Sequence, residues 1–170
     1  GVKEFNEANE YLFNTWPHDD ALSRKLTDYV YAKGYRNVAI FGIQDVWNKT
    51  QTEAFTTEFK KLGGSIVLTY EPLTTETDPR SEIAKIKQSK ADAVVLTNSG
   101  FSLLPISARQ MKELGVRLPL FSLTLDNKLI GECQGACEGL IFLTFLTPTS
   151  EFASRYKTLY NREVEIGSDS

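Results

Sequence analysis

The stretch Arg36 to Asn48, RNVAIFGIQDVWN, constrains the fold more than any other part of the chain. Val38, Ala39, Ile40 and Phe41 form an unbroken apolar run of strand length. A strand with one wet face alternates apolar and polar residues, so an unbroken run belongs in a parallel sheet covered on both faces. Gly42 and Ile43 carry the chain out of that sheet, and Gln44, Asp45, Val46 and Trp47 fill a short polar and aromatic loop. Asn48 opens a helical pattern through Ala54, Phe55, Phe59 and Leu62. Strand, loop and helix in that order make half of a βαβ unit. Ligands of open α/β sheets bind outside the carboxyl ends of the strands, where such loops gather, so function is expected there.

The same alternation runs through the chain. Tyr11 to Trp16 (YLFNTW) reads as a strand ended by Pro17. Asp19 or Asp20 is expected to cap a helix carrying Leu22, Leu26, Tyr29 and Val30, with Gly34 as its stop. Gly63-Gly64 ends the Asn48–Leu62 helix, and Ser65 to Tyr70 is the next strand. Asp78 and Pro79 occupy cap and first-turn positions for a helix with Ile83 and Ile86 on its buried stripe. Ala91 to Thr97 reads as a second buried strand, followed by the loop Asn98-Ser99-Gly100-Phe101. A helix through Leu104, Ala108, Met111 and Leu114 stops at Gly115, and Leu118 to Leu123 is a short strand. Asp126 is placed to cap a helix through Leu129 and Ile130, Gly139 to Phe145 is the last strand, and Ser150 is expected to cap a helix with Phe152, Tyr156 and Leu159. Strands alternating with crossover-length helices predict a three-layer αβα open sheet, mostly parallel, with right-handed connections. Residues 1–170 contain no linker or low-complexity segment, so a single α/β lobe is expected.

Several function classes fall away. Nineteen Lys and Arg against 22 Asp and Glu give a net charge of −3, with the basic residues scattered, so a nucleic-acid partner is not expected. No apolar run approaches the ~20 residues of a membrane span. The opening GVKEFNEANE is not a secretory signal, which fits an intracellular chain or one whose upstream residues have been removed. His18, the single histidine, lies beside a helix start and reads as solvated. Gly-x-Ser-x-Gly, Gly-x-Gly-x-x-Gly and P-loop patterns do not occur, so neither catalysis nor a phosphate or dinucleotide cofactor is expected. Cys133 and Cys137 are four apart without a second pair or histidines, a poor zinc site. Two packed, reduced thiols are the plain expectation, and a small disulfide is the alternative if they lie in a loop in an oxidising compartment.

In this order and spacing, YLFNTWPHDDALSRKLTDYVYAKGYRNVAIF, EFKKLGGSIV, TTETDPRSEIAKIKQSKADAVVL, ARQMKELGV and ACEGLIF resemble one lobe of the type 1 periplasmic binding proteins. The nearest branch is the branched-chain amino-acid binding group, the extracellular ligand-binding receptor family. The resemblance runs from about Tyr11 to Asn161 and concerns the C-terminal lobe. It implies a Rossmann-like lobe and a missing N-terminal lobe. A small molecule, an amino acid or related solute, would be enclosed between the two lobes. An ABC transporter permease would be the partner. It also implies a periplasmic or extracellular location with a lipid anchor as one form of attachment, and no enzyme activity or cofactor. A receptor ectodomain is the alternative within the family, and a stand-alone flavodoxin-like enzyme or signalling domain the alternative outside it.

The resemblance places ligand contacts in three loops. Trp47 stands where relatives often have the tyrosine of Asp-x-x-Tyr-Gly, and would enclose an apolar part of the ligand. Asp45 would take a ligand ammonium or cap the helix behind it, and Asn48 replaces the common glycine. Ser99 and Phe101 are the candidates in the second loop. Thr124 falls near the position where amino-acid binders present an acid to the α-ammonium, which weakens the expectation of an amino-acid ligand. Loss of the other lobe predicts an exposed apolar hinge edge, through which a dimer could form.

Overall fold

The computed structural model describes residues 10–11, 18–143 and 148–164. Five strands form one sheet: β1 (Asn37–Phe41), β2 (Ser65–Tyr70), β3 (Ala93–Leu96), β4 (Leu120–Ser122) and β5 (Ile141–Phe142). Their order is β2-β1-β3-β4-β5, and every pairing is parallel. Among the described residues six helices accompany them: α1 (Asp19–Ala32), α2 (Val46–Lys61), α3 (Arg80–Gln88), α4 (Leu103–Glu113), α5 (Asn127–Glu132) and α6 (Ser150–Tyr160). The strand expected at 11–16 lies, apart from Tyr11, outside the described residues, as does the end of the strand expected at 139–145.

The unbroken apolar runs are explained by the two cores. Val38 and Ile40 of β1, with Ala93 and Val95 of β3, face Leu26 and Val30 of α1 and Phe55 and Phe59 of α2. Ala39 and Phe41, with Val94 and Leu96, face Ile83 and Ile86 of α3, Leu104 and Met111 of α4, and Leu129 of α5. Side chains alternate between the faces of a strand, so a strand covered on both sides must be apolar throughout. β2, at one edge, shows the opposite pattern, alternating exposed and half-buried residues along SIVLTY. These two layers of helix around one parallel sheet are the αβα architecture read from the sequence.

Several helix starts differ from expectation. The N-cap of α1 is His18, which makes no side-chain capping bond; Asp19 and Asp20 lie in the first turn instead. His18 is half-buried rather than solvated, with its Nδ1 shielded from solvent. Pro79 is the N-cap of α3, again without a side-chain bond, and Asp78 instead accepts from Arg80 and Gln110. Thr149, not Ser150, caps α6 by accepting from the Phe152 amide. Asp126 does cap α5, accepting from the Leu129 amide at 2.7 Å.

The cysteines correct the plain expectation. Helix α5 stops at Glu132, and Gln134 and Gly135 both take positive φ, which folds the chain back within four residues. Cys133 and Cys137, whose Cα atoms are 5.6 Å apart, are joined as a disulfide. The four-residue spacing therefore closes a turn instead of aligning two thiols on a helix face. Among the described residues helix α6 joins neither core: none of its residues is fully buried, and Phe152 stacks on Tyr156, which meets Tyr160 at a tilt.

Candidate functional site

The order β2-β1-β3 reverses direction between β1 and β3: the chain leaves β1 for β2 on one side and returns to β3 on the other. In an open α/β sheet this reversal leaves a crevice at the carboxyl ends of the two strands. The loops beyond β1 and β3 meet there.

The first loop is shaped by Asp45. Its carboxylate accepts from the amides of Trp47 (3.0 Å) and Asn48 (3.4 Å), so the helix begins at Val46, two residues before the expected start. Capping fixes the first turn of α2 and presents Trp47 outward, 57% exposed beside Val46 at 67%. Asn48, one residue on, is buried. Its Nδ2 donates to the carbonyls of Thr97 (2.7 Å) and Ser99 (3.1 Å), tying the β1 loop to the β3 loop. A glycine at this position could make neither bond.

A layer of buried polar groups continues beneath the loops. The hydroxyls of Thr52 and Thr97 lie 2.6 Å apart. Gln51 donates to Asp19 (2.9 Å) and accepts from the Ser99 hydroxyl (3.4 Å), while its carbonyl accepts from Ser23 (3.1 Å). The buried face of α2 thus reads Asn48, Gln51, Thr52, Phe55, Phe59: polar near the strand ends, apolar below. Gly42, the first residue past β1, allows this approach. A Cβ there would lie 2.9 Å from Thr97 Oγ1, 3.0 Å from Glu71 Cγ and 3.0 Å from Thr52 Oγ1. Three elements therefore bring side chains together over one glycine.

Two groups at this edge lack partners. Asn98, the residue after Thr97, is fully buried, and neither its Oδ1 nor its Nδ2 has a hydrogen-bond partner among the described residues. Glu71, beyond β2, has a shielded Oε1 that is likewise unpartnered. Its backbone carbonyl is taken by the side chain of Gln44 at 2.9 Å.

Of the residues singled out from sequence, Asp45, Trp47 and Ser99 are brought together through Asn48. Phe101 is half-buried and donates its amide to the Asn98 carbonyl (3.3 Å), closing the turn that enters α4. Thr124 lies in the loop beyond β4, where its carbonyl accepts from the Ser122 hydroxyl (3.3 Å) and Ser122 also bonds Leu96 (3.1 Å). Gln51, Thr52, Glu71, Thr97 and Asn98 were not anticipated. A polar residue on an otherwise apolar helical stripe was the available signal for Gln51 and Thr52. Among the described residues no group of His, Cys, Asp and Glu could hold a metal ion, and no helix is long and apolar enough to cross a membrane.

Comparison with known proteins identifies the family and the fold. A family model described as periplasmic binding protein matches residues 3–165. Among curated proteins, none matches the chain. Several solved structures share the fold. A Rhodospirillum rubrum protein named for branched-chain amino-acid ABC transport superposes with TM-score 0.77 at 22% identity, over 85% of this chain and 44% of its own. The leucine binding protein LivK of Thermotoga maritima gives 0.72 at 19%, over 86% and 45%. A solute binding protein of an R. palustris ABC transporter, in complex with benzoate, gives 0.74 at 14%, over 86% and 42%. The chain therefore spans less than half the length of each of these relatives.

Proposed function

Because the chain belongs to the periplasmic binding protein family, we propose that residues 1–170 form one lobe of a two-lobe solute-binding component of an ABC transporter. The observation that carries the reading is the convergence of the β1 and β3 loops at the switch point, with Trp47 exposed on its rim. A small molecule, an amino acid or related metabolite, is held between this edge and a second lobe supplied by the remainder of a longer protein. Hinge closure then adds the second wall and excludes water.

In this reading Trp47 covers an apolar part of the solute, and Ser99, Phe101 and Thr124 line the adjoining loops. Asp45 acts chiefly through its cap, which sets the direction of Trp47, and its carboxylate borders the site. The chemistry is recognition without bond making. A transporter permease receives the loaded protein outside the cytoplasm, with or without a lipid anchor. The Cys133–Cys137 disulfide supports that location, since such bonds persist in oxidising compartments. The exposed side chains of Ile141, Leu159 and Tyr160 support an apolar edge that the second lobe covers in the longer protein, and through which the isolated lobe would dimerise.

The test is a thermal-shift screen of the 170-residue chain and of its full-length parent against amino acids, amines, carboxylates and related metabolites. Binding to the native state raises the melting temperature by mass action. The expected result is a specific shift in the parent and none in the lobe. No shift in the parent from any compound would overturn the reading. A strong shift in the isolated lobe would mean that it contains a whole site.

A further inference from the structure

We propose that Gln51 is a positioning residue of the solute site: its side chain locks the loop at 97–99 to helix α1, so that this wall is set before a solute arrives. The inference rests on the solute-binding reading above and concerns how that site keeps its shape.

One turn of α2 carries the connection. Asn48, Gln51 and Thr52 lie at i, i+3 and i+4, hence on one helix face, and all three are buried. Each bonds the segment beyond β3. Asn48 donates to the carbonyls of Thr97 and Ser99, Gln51 accepts from the Ser99 hydroxyl, and the Thr52 hydroxyl meets that of Thr97. Gln51 also reaches α1, where its Nε2 donates to Asp19 at 2.9 Å. Trp47 directly precedes Asn48, so the turn that presents it is tied into the same body.

Chemistry fixes the direction of this relay. An ionised carboxylate only accepts, so the Gln51 carboxamide turns its nitrogen to Asp19 and its oxygen to Ser99. The Ser99 hydroxyl then donates to Gln51 Oε1 at 3.4 Å. Residues 19 and 99 are joined through one side chain. An apolar stripe would close this part of the core with less demand, because leucine or valine needs no partner. Matched buried polar groups, by contrast, hold one arrangement. The stripe does turn apolar further along the helix, at Phe55 and Phe59. Polar bonding is confined to the end that carries the proposed site, where a binding wall needs support from the residues behind it. The Ser23 hydroxyl donates to the backbone carbonyl of Gln51 and joins α1 to α2 whatever side chain stands there. Substitutions at 51 therefore test the relay without parting the helices.

The experiment compares the full-length parent with Gln51→Met, Gln51→Glu and the double variant Asp19→Asn/Gln51→Glu. The methionine keeps the length of the side chain and removes both of its bonds. The glutamate sets a second carboxylate against Asp19. In the double variant the new amide at 19 donates to the new carboxylate at 51, which still accepts from Ser99, so the relay is rebuilt in the same direction. Amide hydrogen exchange is followed first, without solute. Both single substitutions should speed exchange across 97–101 at least tenfold more than at Val94 and Val95 in the core of β3. The double variant should return 97–101 to within threefold of the parent. Affinity is then measured by calorimetry with L-leucine as the probe, or with whichever compound of the thermal-shift screen shifts the parent most. It should fall at least tenfold in each single variant and recover in the double. Four results would each overturn the positioning role and leave the solute-binding reading standing. They are unchanged exchange at 97–101, an equal rise at Val94 and Val95, no recovery in the double variant, and unaltered affinity in the single variants. If no compound shifts the parent, the solute-binding reading itself fails, and the inference with it.

Discussion

The middle of the sheet and its β5 side are built differently. At β1 and β3, every strand residue except Asn37 is fully buried, and α1 to α4 cover both faces. At β4 and β5 the strands shrink to three and two residues, Ile141 is 40% exposed, and the following helix α6 buries nothing. The first region closes its own core. The second carries apolar surface that its own elements leave uncovered. Stability and site geometry therefore concentrate at the switch point, while the β5 and α6 side is suited to meeting another surface.

That contrast is sharpest in the core. Phe59 of α2 is fully buried, stacks on Phe55 at 5.3 Å between ring centroids and meets Tyr31 edge-on at 6.0 Å. Phe59→Ala should cost about 3–5 kcal/mol in urea unfolding of the chain. Ile141→Ala, removing a part-exposed side chain from the last strand, should cost under about 1 kcal/mol. Equal losses would show that the two regions are not distinct in stability.

Polar anchoring should follow the same division. Asn48→Ala removes two buried hydrogen bonds and leaves the Thr97 and Ser99 carbonyls without that donor, a loss of about 2 kcal/mol. Thr149→Ala removes the cap of α6, and because that helix is packed on neither core the global transition should move by less than about 0.5 kcal/mol. A larger effect of the Thr149 change would show that α6 is coupled to the lobe after all. Between these extremes stands the disulfide. Cys133 is buried in the core that α3, α4 and α5 form against the sheet, but the loop it closes is short. Reduction should cost no more than about 2 kcal/mol, read from denaturation with and without reductant.

The architecture was legible because burial on both faces leaves an unmistakable trace: Val38–Phe41 and Ala93–Leu96 could be apolar throughout only in a covered parallel strand. Turn stops at Gly34 and Gly115 were equally plain, since both take positive φ. Helix starts were less so. Asp19 and Asp78 look like caps in isolation, but Asp19 accepts from Gln51 of another helix and Asp78 from Gln110, and tertiary partners outrank local propensity. The disulfide stood as the alternative and not the plain expectation for a related reason. Four-residue spacing is ambiguous between a helix face and a closed turn, and the positive φ of Gln134 decides it. At the proposed site, the exposure of Trp47 and the cap made by Asp45 follow from the loop alone. Gln51, Thr52, Glu71 and Thr97 lie beside that proposed site only because α2 and three strands end at one place, a fact of topology that no local pattern carries.

The two edge strands give the last and smallest contrast. β5 is one edge of the described sheet, whereas β2, the other edge, is tied to the loop that follows it. The Tyr70 hydroxyl donates to Glu76 at 3.2 Å, and Glu76 also accepts from the amides of Thr77 (2.8 Å) and Asp78 (2.7 Å). Desolvation, followed by the bond to Glu76, pushes the Tyr70 phenol up from 10.0 to about 12. The amides of Asp78 and Thr77 hold the Glu76 carboxyl below its ordinary value. The signs are opposite. A raised phenol favours the folded state fully below pH 10, and that contribution fades as pH rises toward 12. A lowered carboxyl favours it above the ordinary carboxylate range, and that contribution fades as pH falls through the lowered value. Solvent screening keeps the tyrosine contribution under about 1 kcal/mol. Ultraviolet titration of the folded chain should therefore show one tyrosinate that ionises late, absent in Tyr70→Phe and shifted down in Glu76→Gln. If Glu76→Gln leaves the late ionisation in place, burial alone sets it, and the β2 edge is no better anchored by its loop than β5 is.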